Sequence, residues 1–508
     1  MPITPVPVHP EGEPLCPLEV TYPLALDTPG KRFHVEWDPA APVTPMGQLV
    51  FFSQFLATGN RFAPWVADCP LHYTSPNAPK VVDVLGTLVL GTLAGQWRYA
   101  HLTALRADRV NPTSLGMSKV CSEDSARRAF TEADAAAVAA WQHRHLKSCW
   151  EPALDQPWVL DIDTTIKPVY GHQEGATLGY NPAKPGRPSH AYHTYFIARL
   201  RVVLDVEVHA GKEHAAGQGL AGLWALWSEL QPAQRPTLLR GDCSYGQEKL
   251  LVECEARRQA YLFRLRQTPK VKALITLLER QGGWEPAGGE WAAREGKLRL
   301  SGWSAERRVV VLRRRVATDP QPPRLAVRAG ELALEWLSES DPTHEYIVLV
   351  TNTAFGPLTL GDLYRQRADA ENAFDELKNQ WGWGGFMTRD QLRCQVMARL
   401  VAQVYNWWNL FVRCAEPARA REAITSRPLL LCSVGRMVQH ANQTVLRLTS
   451  LHGEAVRAQQ LLTGVSVFLS GLMNSAEQLN ADQRWRRIWE RILTPFRAVA
   501  GALPGPAG

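Results

Sequence analysis

The chain has no run of about 18 uncharged apolar residues, the least that spans a bilayer as a helix, so no membrane anchor is expected. Its first twenty residues have no basic stretch leading into an apolar core, so no secretory signal is expected. There is no Cys-x-x-Cys pair. The nine cysteines are scattered and odd in number, which argues against a disulfide framework or zinc ribbon and for a reducing compartment, the cytoplasm. No segment repeats. No large excess of one charge exists either: 56 basic residues face 49 acidic ones, a net of +7. What is present is 508 residues, 45% of them hydrophobic, enough for several domains with real cores.

The modest charge is unevenly placed. Residues 1–150 hold 12 basic and 13 acidic residues, whereas 256–320 hold 15 and 6. Residues 391–508 hold 14 basic residues, all arginine, and 6 acidic. Arginine presents a planar fork that suits phosphate. Two such segments in one chain point to a polyanion, most simply nucleic acid.

Along the chain, 1–45 is proline-rich and aperiodic and reads as an extended arm. Residues 46–150 read as helical, with a short helix capped by Ser122 or Ser125, and fit a DNA-binding or assembly domain. At Trp158 the texture changes to β-branched and aromatic strands separated by the basic loop YNPAKPGRPSH. Residues 151–267 and 343–390 read as two parts of an α/β core. The stretch 268–342, with GG turns, three tryptophans and Arg313-Arg314-Arg315, reads as a β-rich insertion between them. A single long helix is expected from Leu358 to Trp381, then a helical region over 391–508 ending in a loose tail.

Three carboxylates stand out by context. Asp163 lies in the first core strand, WVLDIDTT. Asp242 ends the strand TLLRGD, and Glu371 lies on the helix after the last core strand. The element order β-β-β-α-β-α-β-insertion-α is that of the RNase H-like fold, a mixed five-stranded sheet with helices. That fold brings these three positions to one point. Clustered carboxylates without a basic partner repel one another and imply a cation. Two Mg²⁺ or Mn²⁺ ions in such a cluster cleave phosphodiesters. Asp161 competes with Asp163, because residues two apart on a strand face the same side.

The helix supplies more. At 100° per residue, Tyr364, Arg367, Glu371 and Lys378 fall within an arc of about 60°. Leu363, Phe374, Leu377 and Trp381 form an adjoining apolar face. One side of the helix can dock while the other offers Glu371 to metals and Arg367 and Lys378 to phosphates. Lys184 and Arg187, in the loop after the first strand, are further candidates for DNA contact. Arg240 is read as structural. The cluster Arg484, Arg486 and Arg487 among Trp485 and Trp489 reads as DNA contact, dimer closure or a solvated face.

Tyr-x2-Arg-x3-Glu-x6-Lys, here Tyr364, Arg367, Glu371 and Lys378, resembles the signature helix of IS4-type DDE transposases. Asp163-Thr164-Thr165 resembles that family's first-acid motif, and RGDCSYG its second. The segment PVYGHQEGATLGYNPAKPGRPSH is similar to the IS1380-type group. The resemblance covers roughly 45–410. It implies binding to the terminal inverted repeats of a mobile element, metal-dependent strand cleavage and attack of the freed 3′-hydroxyl on target DNA. It also implies a homodimer on double-stranded DNA and a nucleoid location. Some relatives pass through a DNA hairpin and hold a flipped base on an insertion tryptophan, a role the resemblance would give Trp291 or Trp303 here. The rival readings are a transposase relic that only binds DNA, a nuclease of the same fold that never joins strands, and, remotely, a metal-free two-carboxylate glycosidase.

Overall fold

In the computed structural model, which describes residues 24–38, 40–179, 181, 184–212, 219–316 and 344–497, the chain divides into two units, Met1–Pro42 and Val43–Gly508. The first was expected as an open arm. Most of it, 1–23 and 39, lies outside the described residues, but LALDTPGKRFHV closes into a hairpin of β1 (Leu24–Asp27) and β2 (Arg32–Val35). A Pro-Gly pair between apolar stretches is a turn signal. Here the Thr28 hydroxyl donates to the Lys31 carbonyl at 2.8 Å across it.

The second unit opens with β3 (Val43–Thr44) and then runs helical, as expected: α1 (Leu49–Thr58), α2 (Phe62–Ala67), α3 (Val81–Leu93), α4 (Asn111–Ser114), α5 (Glu123–Arg128) and α6 (Ala135–Trp150). The Ser122 hydroxyl caps α5 by accepting from the Ser125 N–H at 3.2 Å, and the Asp134 carboxylate caps α6 from Ala137 at 2.7 Å.

The β-branched text after Trp158 builds one mixed sheet. Its elements are β4 (Val159–Pro168), β5 (Thr177–Leu178), β6 (Pro188–Ile197), β7 (Val202–Ala210), α7 (Gly219–Glu229), β8 (Leu238–Gly241), α8 (Glu248–Ala256), β9 (Tyr261–Arg264), α9 (Pro269–Gln281), β10 (Glu285–Pro286), β11 (Trp291–Leu298), β12 (Arg307–Arg315) and β13 (His344–Thr351). The order is β10-β11-β12-β13-β9-β8-β4-β6-β5, with β7 also on β6. Only the pairs β4–β8 and β8–β9 are parallel. The sheet therefore has ten strands, not five. The described strands of the expected insertion do not form a sheet of their own. The run Val309-Val310-Val311-Leu312 is apolar without alternation and wholly buried, as a strand covered on both faces must be. It pairs with β13 and extends the main sheet. Residues 317–343 of that stretch lie outside the described ones.

After the sheet come α10 (Pro357–Arg365), α11 (Ala368–Gln380), α12 (Gln391–Ala415), α13 (Ala423–Leu430), β14 (Gly435–His440), β15 (Gln443–Leu448), α14 (Ala455–Met473) and α15 (Ala481–Arg497). The single helix expected over 358–381 is two helices. The Arg367 N–H bonds the Tyr364 carbonyl at 3.0 Å, a tight i to i−3 turn that ends α10 and starts α11. The expected all-helical C-terminal region is also interrupted. GRMVQHANQTVLRL forms the hairpin β14–β15, joined by Ala441 and Asn442 with φ of 46° and 63°. Two left-handed residues are what the tightest hairpin turn requires. The tail from 498 onward lies outside the described residues. Among the described residues no helix is long and apolar enough to cross a membrane.

The central helix α12 closes the open edge of β7. Asn406 accepts from the Val203 N–H at 2.8 Å and donates to its carbonyl at 2.7 Å. Gln395 does the same between Val208 and Val206, at 2.7 and 2.8 Å. Side-chain amides thus replace the missing neighbour strand, leaving the edge with fewer unpaired groups.

Candidate active site

The sheet register positions the first two acids. β4 and β8 run parallel, paired up to Ile162 with Gly241. The next residue on each is Asp163 and Asp242. Gly241 is needed there: a Cβ would stand 2.9 Å from the Tyr245 ring and 3.0 Å from Ile162. Beyond it, the Asp242 carboxylate accepts from the Ser244 N–H at 2.9 Å, which turns the chain away from the strand.

The third acid comes from α11. Ala370, Ala373, Phe374 and Leu377 recur at helical spacing and are buried. Phe374 meets Phe196 of β6 with ring centroids 5.3 Å apart. Asp369 and Glu371 lie in the first turn and Lys378 in the last, where the helix dipole favours each sign. Docked this way, the helix start delivers Arg367. Its guanidinium donates to Asp163 at 3.0 Å and also to Glu371. Arg367 is buried, while the Glu371 side chain is 65% exposed.

The charges act on one another. Burial pushes the Asp163 carboxyl up to about 6; Arg367 and Lys378 pull it down, while Asp242 and Glu371 push it further up. Burial opposes the Arg367 charge, but Asp163, Tyr364, Asp242 and Glu371 together hold it above its ordinary range. Burial likewise raises the Tyr364 phenol, which feels Arg367, Asp242 and Glu371. Asp163, Asp242, Glu371, Tyr364, Arg367 and Lys378 therefore share one electrostatic site. Lys378 is exposed and Tyr364 buried.

Asp161 is in a different situation. It is buried and gripped by Arg240, with Nε and Nη2 at 2.6 and 2.8 Å. Arg240 also donates to the Leu363 carbonyl of α10. Both Asp161 carboxylate oxygens accept from Arg240, and Asp161 is not among the groups that shift Asp163.

Other expected residues lie elsewhere. Lys184 and Arg187 are exposed, and Arg187 stacks 4.6 Å from the Tyr170 ring centroid; neither is among the groups that shift Asp163. Trp485 and Trp489 are buried, and each donates its indole N–H to the Cys149 carbonyl. Arg484 holds Thr58 O at 2.8 Å and Arg486 pairs with Asp155 at 3.1 Å, so this cluster fastens α15 internally. Trp303 is buried with Arg307 stacked on it; Trp291 is partly exposed, with Arg314 stacked on its ring.

The sequence reading missed a hydrogen-bonded row behind the acids. Thr164 contacts His193 Nδ1 at 2.9 Å and Tyr245 OH at 2.8 Å. Burial, then the neighbouring His209, pushes His193 down to about 4, so it is neutral. The cross-strand pairing of Thr164 with His193 is the signal that register alone supplies.

Three carboxylates are hard oxygen donors, the type that suits Mg²⁺ or Mn²⁺. Among the described residues no three His, Cys, Asp or Glu side chains stand close enough to hold an ion as they are. The positive charge now between Asp163 and Glu371 is that of Arg367. The expected cluster without a basic partner is thus corrected, since Arg367 pairs with two of the three acids; by donor type the set still suits a divalent cation.

Residues 75–466 match the family described as Transposase DDE domain group 1. The chain belongs to that family. It is accordingly a DNA-binding, DNA-cleaving and strand-transferring enzyme of a kind that generally uses divalent metal ions. No curated protein matches it. Among solved structures it is similar to a piggyBac transposase synaptic complex with hairpin DNA, at 11% identity and a TM-score of 0.38. That likeness covers 91% of this chain and 86% of that one.

Proposed function

We propose that this transposase has an RNase H-like catalytic domain of IS4 type, nearest the IS1380-like group, and acts as a homodimer on the terminal inverted repeats of an insertion sequence. It cleaves each end and joins the freed 3′-hydroxyl to target DNA. The observation that carries the reading is the convergence of Asp163, Asp242 and Glu371, from three separate elements, around Arg367. The strand order β7-β6-β4-β8-β9, with only the last two pairs parallel, supports the RNase H-like assignment.

In this reading Asp163, Asp242 and Glu371 hold two divalent ions, Mg²⁺ or Mn²⁺, which supply Lewis acidity and a nucleophilic water near neutral pH. The remaining work belongs to the chain. Arg367 orients Asp163 and Glu371 by charge-assisted hydrogen bonds. Exposed Lys378 on the same helix meets a backbone phosphate, and Tyr364 packs beneath the site. Lys184 and Arg187 contact DNA farther out, and the helical region 46–150 reads the ends or holds the assembly.

The test is a plasmid carrying the gene with its native flanking DNA, incubated with purified protein and Mg²⁺ or Mn²⁺ beside EDTA and Glu371→Gln controls. Discrete breaks at the element's ends, lost in both controls, and joined products are expected. Breaks without joining identify a nuclease. End binding without breaks identifies a relic.

A further inference from the structure

Lys167 lies four residues beyond Asp163 on the same face of β4, about 13 Å along the strand. Its stem is packed against Gly384: a Cβ there would stand 2.9 Å from the Lys167 Cδ. Among the described residues no hydrogen bond or ion pair engages its ammonium. Its nitrogen is not enclosed. Burial lowers its pKa, and no carboxylate offsets this. A half-buried cation with no anion is costly, and a bound anion recovers that cost.

The glycine loop that carries Gly384 joins Lys167 to a second feature. Gly382 and Gly384 have φ of 67° and 70°, a conformation other residues resist. A Cβ on Gly385 would lie 2.4 Å from the Trp97 carbonyl, and the Phe386 N–H donates to that carbonyl at 2.7 Å. The loop thus has the Lys167 stem on one side and the Trp97 backbone on the other. Trp97 is 53% exposed, its ring 6.2 Å from that of His101. The exposed Arg98 guanidinium lies 5.4 Å from the Trp97 ring centroid. An exposed indole with an arginine beside it suits a nucleobase more than open water.

We propose that Lys167, Trp97 and Arg98 form a subsite for the DNA strand leaving the acid cluster, with Lys167 pairing to a backbone phosphate and Trp97 stacking on an unpaired base. This rests on the DNA-cleaving reading above and adds to it the path of the strand. It requires the two contacts to differ in kind. Lys167 contributes to the salt dependence of binding, and Trp97 contributes affinity that salt does not change.

Fluorescence anisotropy of the full chain with labelled oligothymidylate and with a blunt duplex, each across a NaCl series, separates them. Lys167→Met, which keeps the packed stem, should flatten the log affinity against log salt slope by about 0.7 for the single strand. Trp97→Ala should weaken oligothymidylate about tenfold with the slope unchanged, and leave the blunt duplex unaffected. Lys167→Arg and Trp97→Phe should restore most of each loss. Unchanged slope in folded Lys167→Met, or equal losses on both probes in Trp97→Ala, overturns the subsite. Wild-type protein that cuts element ends while the variants bind as it does sinks the subsite alone. Wild-type protein that binds neither probe sinks the DNA reading with it.

Discussion

Asp161 and Asp163 are two residues apart on one face of one strand, yet they sit in regions built to opposite rules. Around Asp161 the chain satisfies everything: the carboxylate is buried, forked onto Arg240, and Arg240 is tied to the helix above. Around Asp163 the chain leaves charge unsettled. Burial raises the acid to about 6, two other carboxylates act on it electrostatically, and one guanidinium is shared. The first arrangement holds β4, β8 and α10 together. The second stores an affinity for positive charge. In the proposed reading, identical side chains are sorted into structure and chemistry by their partners.

The comparison breaks most sharply under substitution. Asp163→Asn should reduce end cleavage to background. Arg367 is buried as well, but it keeps Glu371 as a partner, so the melting temperature should fall less than in Asp161→Asn. Asp161→Asn should do the reverse. It strands a buried guanidinium, at a cost of about 3–5 kcal/mol, seen as a lower urea midpoint, while the folded fraction still cuts.

A smaller loss is expected at the β7 edge. Asn406→Leu leaves the buried N–H and C=O of Val203 without partners, costing about 2–4 kcal/mol in urea unfolding. The smallest effect concerns His193, whose folded pKa of about 4 lies below the ordinary value of about 6.5. The unfolded chain therefore takes up the proton first, and stability falls as pH drops from about 6.5 toward 4. A His193→Gln series of thermal melts should show a shallower fall over that window. An equal fall assigns the acid sensitivity elsewhere.

Much of this site was legible in the sequence because its signals are local. Asp163 lies within apolar strand text and Asp242 ends another, and Glu371 shares a helical stripe with Arg367 and Lys378. What was not legible depended on partners far along the chain. In the proposed reading the choice between Asp161 and Asp163 turns on Arg240, 79 residues from Asp161. The turn at Arg367 splits a stripe that looks continuous by period, because a buried arginine between two acids is invisible to helical spacing. Local signals were also present and outweighed: Pro29-Gly30 and Ala441-Asn442 turn hairpins within stretches otherwise read as arm and helix. The valines of 309–311 read as an inserted subdomain until β13 is seen to pair with them along seven residues.

The most direct test of the account is metal-dependent end cleavage by Asp163→Asn and Asp161→Asn, each compared with wild type at equal folded fraction. The account predicts no breaks from folded Asp163→Asn and near wild-type breaks from folded Asp161→Asn. Cleavage by Asp163→Asn, or its loss only in folded Asp161→Asn, would contradict it.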